Sequence, residues 1–121
     1  MVELRGAAIE FAARRFGGLL RERQSAPTIG TSAVELLGAD PERVFYIIVN
    51  LSPNDMHVSF RADVSATNGI LIIAQGGSME VDVESDGNLS ALQLFGVAAA
   101  AASQLFILEL RRETITPLEA A

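Results

Sequence analysis

The stretch "VFYIIVN", residues 44–50, is what most limits the folds open to this chain. Every residue from Val44 to Val49 is β-branched or aromatic. Such side chains lose rotamer freedom in a helix and pack well on a pleated surface. The run does not alternate with polar residues, so it reads as a strand in the middle of a sheet, covered on both faces. The polar segment "SPND" (52–55) follows, a tight turn of the kind that joins hairpin strands. "MHVSFR" (56–61) then alternates, with Met56, Val58 and Phe60 on one face, as expected of a strand nearer an edge with one wet face.

Turn signals cut the rest of the second half into similar pieces. "AVELL" (33–37) reads as a strand and "GADPER" (38–43) as a turn with Pro41 fixing its backbone. "ADVSATNG" (62–69) has little periodicity and reads as a loop. "ILIIA" (70–74) is a strand candidate turned by "QGG" (75–77). "SMEVDVE" (78–84) alternates strictly, predicting Met79, Val81 and Val83 inward and Glu80, Asp82 and Glu84 outward. "SDGN" (85–88) is a turn, and "LSALQLFGV" (89–97) and "QLFILELRR" (104–112) are further strands around a small-residue connection at 98–103. About seven short strands at this spacing predict an all-β fold, an antiparallel β-sandwich or barrel.

The beginning follows a different period. Leu4, Ala8, Phe11, Ala12, Phe16, Leu19 and Leu20 recur at spacings of three and four, predicting an N-terminal amphipathic helix over 3–23. Gly17-Gly18 weakens its middle by about 1 kcal/mol per Gly relative to Ala, so a bend or an early end is expected there. The organisation read from these patterns is a helical arm at 1–24, a linker at 25–32 with Pro27 and Gly30, a β domain at 33–113 and a tail at 114–121.

Charge separates the same two pieces. Residues 1–24 hold five Arg against three Glu, and residues 25–121 hold four Arg against twelve acids. An acidic body disfavours nucleic acid and anionic membranes as partners. No apolar run approaches the roughly 20 residues that span a bilayer, and the start lacks the basic and apolar regions of a secretory signal. The sequence has no Cys, which excludes disulfides, thiolate chemistry and Cys-type zinc sites.

The order of the pieces resembles a small β domain common in structural proteins of tailed phages and related viruses. The similarity lies in "PERVFYIIVNLS", the short strand "MHVSF", the segment "VSATNGILIIAQGG" and the closing strand "LFILELRR". It covers roughly residues 28–113 as a pattern rather than a signature motif. The resemblance implies a virion structural protein, made in the host cytoplasm: a head decoration, a head–tail joining protein or a tail component that works as a symmetric homo-oligomer with itself and other virion proteins. The helix read over 3–23 is not required by that pattern.

Chemistry is thinly represented. His57 is the single histidine and falls on the face opposite Met56, Val58 and Phe60. Ser52 and Ser59 lie near it in sequence, but no G-x-S-x-G elbow accompanies them. Glu80, Asp82, Glu84 and Asp86 form an acid ladder of oxygen donors that suit Ca²⁺ in type. Successive acids on one strand side stand about 7 Å apart, which fits a solvated, edge-protecting face better than one ion's shell. "QGGSM" is followed by no phosphate-binding pattern, and Gly76-Gly77 reads as a turn. The expectation is no catalytic, metal or cofactor-binding residue and no enzyme activity.

Interaction residues are the remaining candidates. The helix either packs on its own domain, docks on an adjacent subunit or lies on a membrane surface. In the docking reading Phe11, Phe16, Leu19 and Leu20 are apolar anchors. Arg14 and Arg15 would then pair with Glu80, Asp82 and Glu84, setting register more than affinity. A ligand- or carbohydrate-binding β module is the alternative, although six Phe and one Tyr, mostly in apolar strands, leave little for sugar stacking.

Overall fold

In the computed structural model, which describes residues 6–113, β4 (Arg43–Asn50) lies between β9 (Ser103–Glu113) and β7 (Ser78–Asp82). β1 (Leu19–Ser25) pairs with the far side of β9, and β2 (Thr28–Ile29) continues along the same edge. The second sheet has the order β3 (Val34–Leu37), β8 (Leu94–Ala98), β5 (Met56–Ser59), β6 (Ile70–Ile72). All neighbours in both sheets are antiparallel, and the two sheets face each other as a sandwich.

Period-2 alternation decides what is inside. In the first sheet Tyr46 and Ile48 on β4, Leu105 and Ile107 on β9 and Val81 on β7 point into the core. Met56, Val58, Ile72, Leu94 and Ala98 meet them from the second sheet. The other face of β4 carries Phe45, Ile47 and Val49, which stand opposite Leu110, Leu108 and Phe106 of β9. These six side chains are half-buried. β4 is therefore central, as expected, but its second face is only partly covered.

Three expected elements differ. The helix α1 runs from Ala7 to Phe16 and stops there, because Gly17 adopts a left-handed backbone (φ 76°) and donates to the Ala13 carbonyl. Residues 19–23, expected to continue that helix, form β1 with Gln24 and Ser25 instead, so residues 7–24 are not one helix, and the expected linker at 25–32 holds the end of β1 and all of β2. The strand expected to reach Glu84 ends at Asp82, whose side chain accepts from the Glu84 N–H at 2.7 Å and caps the short helix α2 (Val83–Asp86). A 3-10 turn (Gly87–Ala91) then occupies what was expected to be the start of a strand, and β8 begins at Leu94.

Two polar groups hold the sandwich at opposite ends of β4. Asn50 is fully buried. Its Nδ2 donates to the carbonyls of Asn54 (2.7 Å) and Ile72 (3.1 Å), and its Oδ1 accepts from the N–H and hydroxyl of Ser52 (2.9 and 2.8 Å). The contact to Ile72 crosses from the first sheet to the second. At the other end Arg43, 1% exposed, sends Nε to the Ser90 carbonyl, Nη1 to Glu109 and Nη2 to the carbonyls of Gly38 and Leu92, all at 2.7–3.0 Å.

Tyr46 lies under this guanidinium, whose carbon is 5.7 Å from the ring centroid. Burial pushes the Tyr46 hydroxyl up to about 12, against the opposing pull of Arg43. Its oxygen has no hydrogen-bond partner among the described residues. A buried hydroxyl without a partner contributes desolvation cost and no bond. Tyr46→Phe is therefore expected to leave stability unchanged or raise it by up to about 1 kcal/mol in urea denaturation. A loss larger than that would reveal a bound partner for the hydroxyl.

Candidate assembly surface

The arginines of β1 and β9 sit where strand register sets them. Arg23 stands opposite Glu109 and bonds both of its oxygens (3.0 and 2.8 Å), and Arg21 pairs with Glu113. Glu109 is thus shared between exposed Arg23 and buried Arg43. Burial by itself would raise the Glu109 carboxyl; the bonds from Arg23 and Arg43 outweigh it and hold it below the ordinary range. Arg111 reaches Asp40 at 2.9 Å and lowers its carboxyl in the same way. Arg112 bridges Glu42 (2.6 Å) and the Phe16 carbonyl at the end of α1 (3.1 Å). This network spans the turn at 38–42, β9 and the end of α1.

The candidate residues of the N-terminal segment do not form one stripe. Phe16 is half-buried at the helix end, and Leu19 and Leu20 are half-buried on opposite faces of β1. Leu19 and Leu20 share a crevice with Ile9 of α1 and with Glu22, so the helix rests against its own sheet. Arg15 bonds Glu84 at 2.9 Å within the same chain. Both partners are about half exposed, a setting in which solvent screens such a pair and leaves it little part in stability. Phe11 remains 55% exposed, beside Arg14 and Arg15.

The acid ladder is shorter than its sequence. Glu80 is exposed on β7 opposite Ile47, and Asp82 stands opposite Phe45. Glu84 and Asp86 leave the strand for α2, where Asp86 accepts from the Asp82 N–H. Among the described residues no group of three or more His, Cys, Asp or Glu is placed to hold a metal ion. Ser52 is 3% exposed and its hydroxyl is engaged by Asn50 and Asn54. Ser59 accepts from the Arg61 N–H. His57 stands between Leu71 and Val97 on the outer face of the second sheet. It lines a cavity of about 320 Å³ with Val64, Val97, Ala98 and Ala99, which offers no aromatic wall for a sugar.

The outer face of the first sheet carries a half-buried row of apolar side chains. Phe45, Ile47 and Val49 lie against Leu110, Leu108 and Phe106, with Glu80 and Asp82 along one rim and Glu22 and Gln24 along the other. Sequence reasoning named interaction candidates on the helix and on the acid ladder of β7 and did not single out the residues of β9. The signal was present in the alternation of "LFILEL", whose Phe106, Leu108 and Leu110 fall on the face away from Leu105 and Ile107.

No protein-family model matches the sequence, and no curated protein matches it. Among solved structures, a Bacillus endospore appendage subunit, described as belonging to a novel family of disulfide-linked pili, aligns over 80% of this chain and 88% of its own. The TM-score is 0.49 and the sequence identity 15%. The present sequence contains no Cys.

Proposed function

We propose that this chain is a non-catalytic structural subunit that works as a symmetric homo-oligomer in a virion, as a head decoration, a head–tail joining protein or a tail component. The observation that carries the assembly reading is the apolar outer face built from Phe45, Ile47, Val49, Phe106, Leu108 and Leu110. Contiguous apolar surface with a charged rim is the mark of a protein–protein contact. Phe11 with Arg14 and Arg15 adds a smaller patch, suited to an exposed carboxylate such as Glu80 of a neighbour. The virion assignment is supported by the similarity of "PERVFYIIVNLS" and the segments after it to phage structural domains. In this reading the protein is made in the host cytoplasm and ends in the particle.

Light scattering after size exclusion of the full chain is expected to give a defined multiple of the protomer mass. A monomer at every concentration would sink the self-assembly reading. Mass spectrometry of purified particles is expected to find peptides of this chain. Their absence would remove the virion assignment and leave the assembly.

A further inference from the structure

Among the described residues the edge strands are β1, β2 and β7 in the first sheet and β3 and β6 in the second. Unpaired edges invite pairing with other chains, and charged side chains are the common protection. β1 carries Arg21, Glu22 and Arg23; β3 carries Glu35; β7 carries Glu80 and Asp82. β6 carries none, and no charged residue occurs from Asn68 to Gly77. Ile70, Leu71 and Ile73 are 47%, 51% and 58% exposed at that edge.

The strand is also held ready. β5 pairs with its inner side through Met56, His57 and Val58. Past its end, Asp55 accepts from the Ala74 N–H at 2.8 Å, and the Gln75 N–H donates to Ser52. An edge already fixed in extended form loses little conformational freedom when it pairs.

We propose that β6 is a dimer seam, pairing antiparallel with β6 of a second copy about a twofold axis at Leu71. This rests on the assembly reading above and names one interface of it. The choice of occupant follows from charge. β2 is only two residues long, and every longer edge of a second copy would bring a carboxylate or guanidinium toward the isoleucines of β6, where burying an unpaired charge is costly. β6 brings only aliphatic side chains. The register follows from pleating. A twofold axis through an antiparallel pair keeps each side chain on its own face, so it must pass through a residue, not between two. Leu71 is the middle of β6. This register sets Leu71 against the partner's Leu71 and Ile70 against the partner's Ile72. Ile70 shares the inward face of Val58, so its exposed side would close over the edge of the core.

The chain has no Cys of its own, so single cysteines report the seam cleanly. Leu71→Cys, at a half-exposed site, is expected to convert nearly completely to a disulfide-linked dimer under mild oxidation of dilute protein. Ile73→Cys, just past the end of β6, and Val34→Cys on the β3 edge are expected to stay largely uncrosslinked. Leu71→Lys is expected to lower the solution mass by half or more with the circular dichroism spectrum unchanged. Crosslinking of Leu71→Cys no faster than that of Val34→Cys, in an oligomer whose mass Leu71→Lys leaves intact, would overturn the seam and leave assembly standing. A wild-type monomer in which Leu71→Cys also fails to crosslink would overturn both.

Discussion

Replacing Arg43 by Met is expected to remove about 3–5 kcal/mol of folding stability. The side chain satisfies three carbonyls and one carboxylate from a site 1% exposed. Met fills similar volume and returns nothing to the carbonyls of Gly38, Ser90 and Leu92, each of which then stands without its donor. Glu109 keeps only the half-exposed Arg23. Lys would keep the charge, but a compact ammonium cannot reach acceptors spread across a planar fork, so Arg43→Lys is expected to cost nearly as much. Arg23→Ala is expected to cost about 1 kcal/mol or less, because that partner is 53% exposed. Urea midpoints at unchanged slope would read all three. A cost under about 1 kcal/mol for Arg43→Met would mean that the end of the sandwich relaxes to admit water.

Asn50→Ala is expected to cost about 2–4 kcal/mol, since it strips the Ile72 carbonyl and the Ser52 N–H of their buried bonds to Asn50, at about 1–3 kcal/mol each. The Asn54 carbonyl also loses a donor but keeps the Ser52 hydroxyl, which bonds it at 2.9 Å. Asn50→Asp should be worse than Ala at neutral pH. A carboxylate has no N–H for either carbonyl and would sit charged at a fully buried position. Hydrogen exchange of the turn at 51–55 and of β6 would show the loss locally, because Asn50 ties both to β4. Equal stability of Asn50→Asp and wild type at neutral pH would contradict this account.

These two residues also show how far the sequence could be read. The sandwich was legible because core strands obey a period of 2, and the turns at 52–55 and 75–77 carry residues that only turns need. Asn50 closes the most strand-like run, so its place was visible although its four hydrogen bonds were not. Arg43 and Glu109 were invisible as a pair. They lie far apart in sequence, and only the register of β4 with β9, shifted by a bulge between Arg43 and Phe45, brings them together. One clue was available: Glu109 follows Leu105 and Ile107 on the inward face, where a charge requires a partner. The helix was read too long because Leu19 and Leu20 extend the apolar spacing of 4–16. Local pattern could not reveal that β9 runs to Glu113 and needs a strand beside its last turns of charge, which β1 supplies with Arg21 and Arg23. The acid run was read as one strand because alternation continues through Glu84, whereas the Asp82 side chain captures the next backbone N–H and starts a helical turn.

β9 touches β1, β2 and β4, and lies at the far end of the described chain from β1. During synthesis, residues 19–29 emerge from the ribosome with no strand to pair against until residues 103–113 follow, and β4 has only β7 beside it before then. Their apolar faces must wait through roughly the whole time of translation of the domain, several seconds at about 5–20 residues per second. The first sheet is consequently closed by its last strand, and the interval before β9 arrives is when Phe45, Ile47 and Val49 are open to the wrong neighbour.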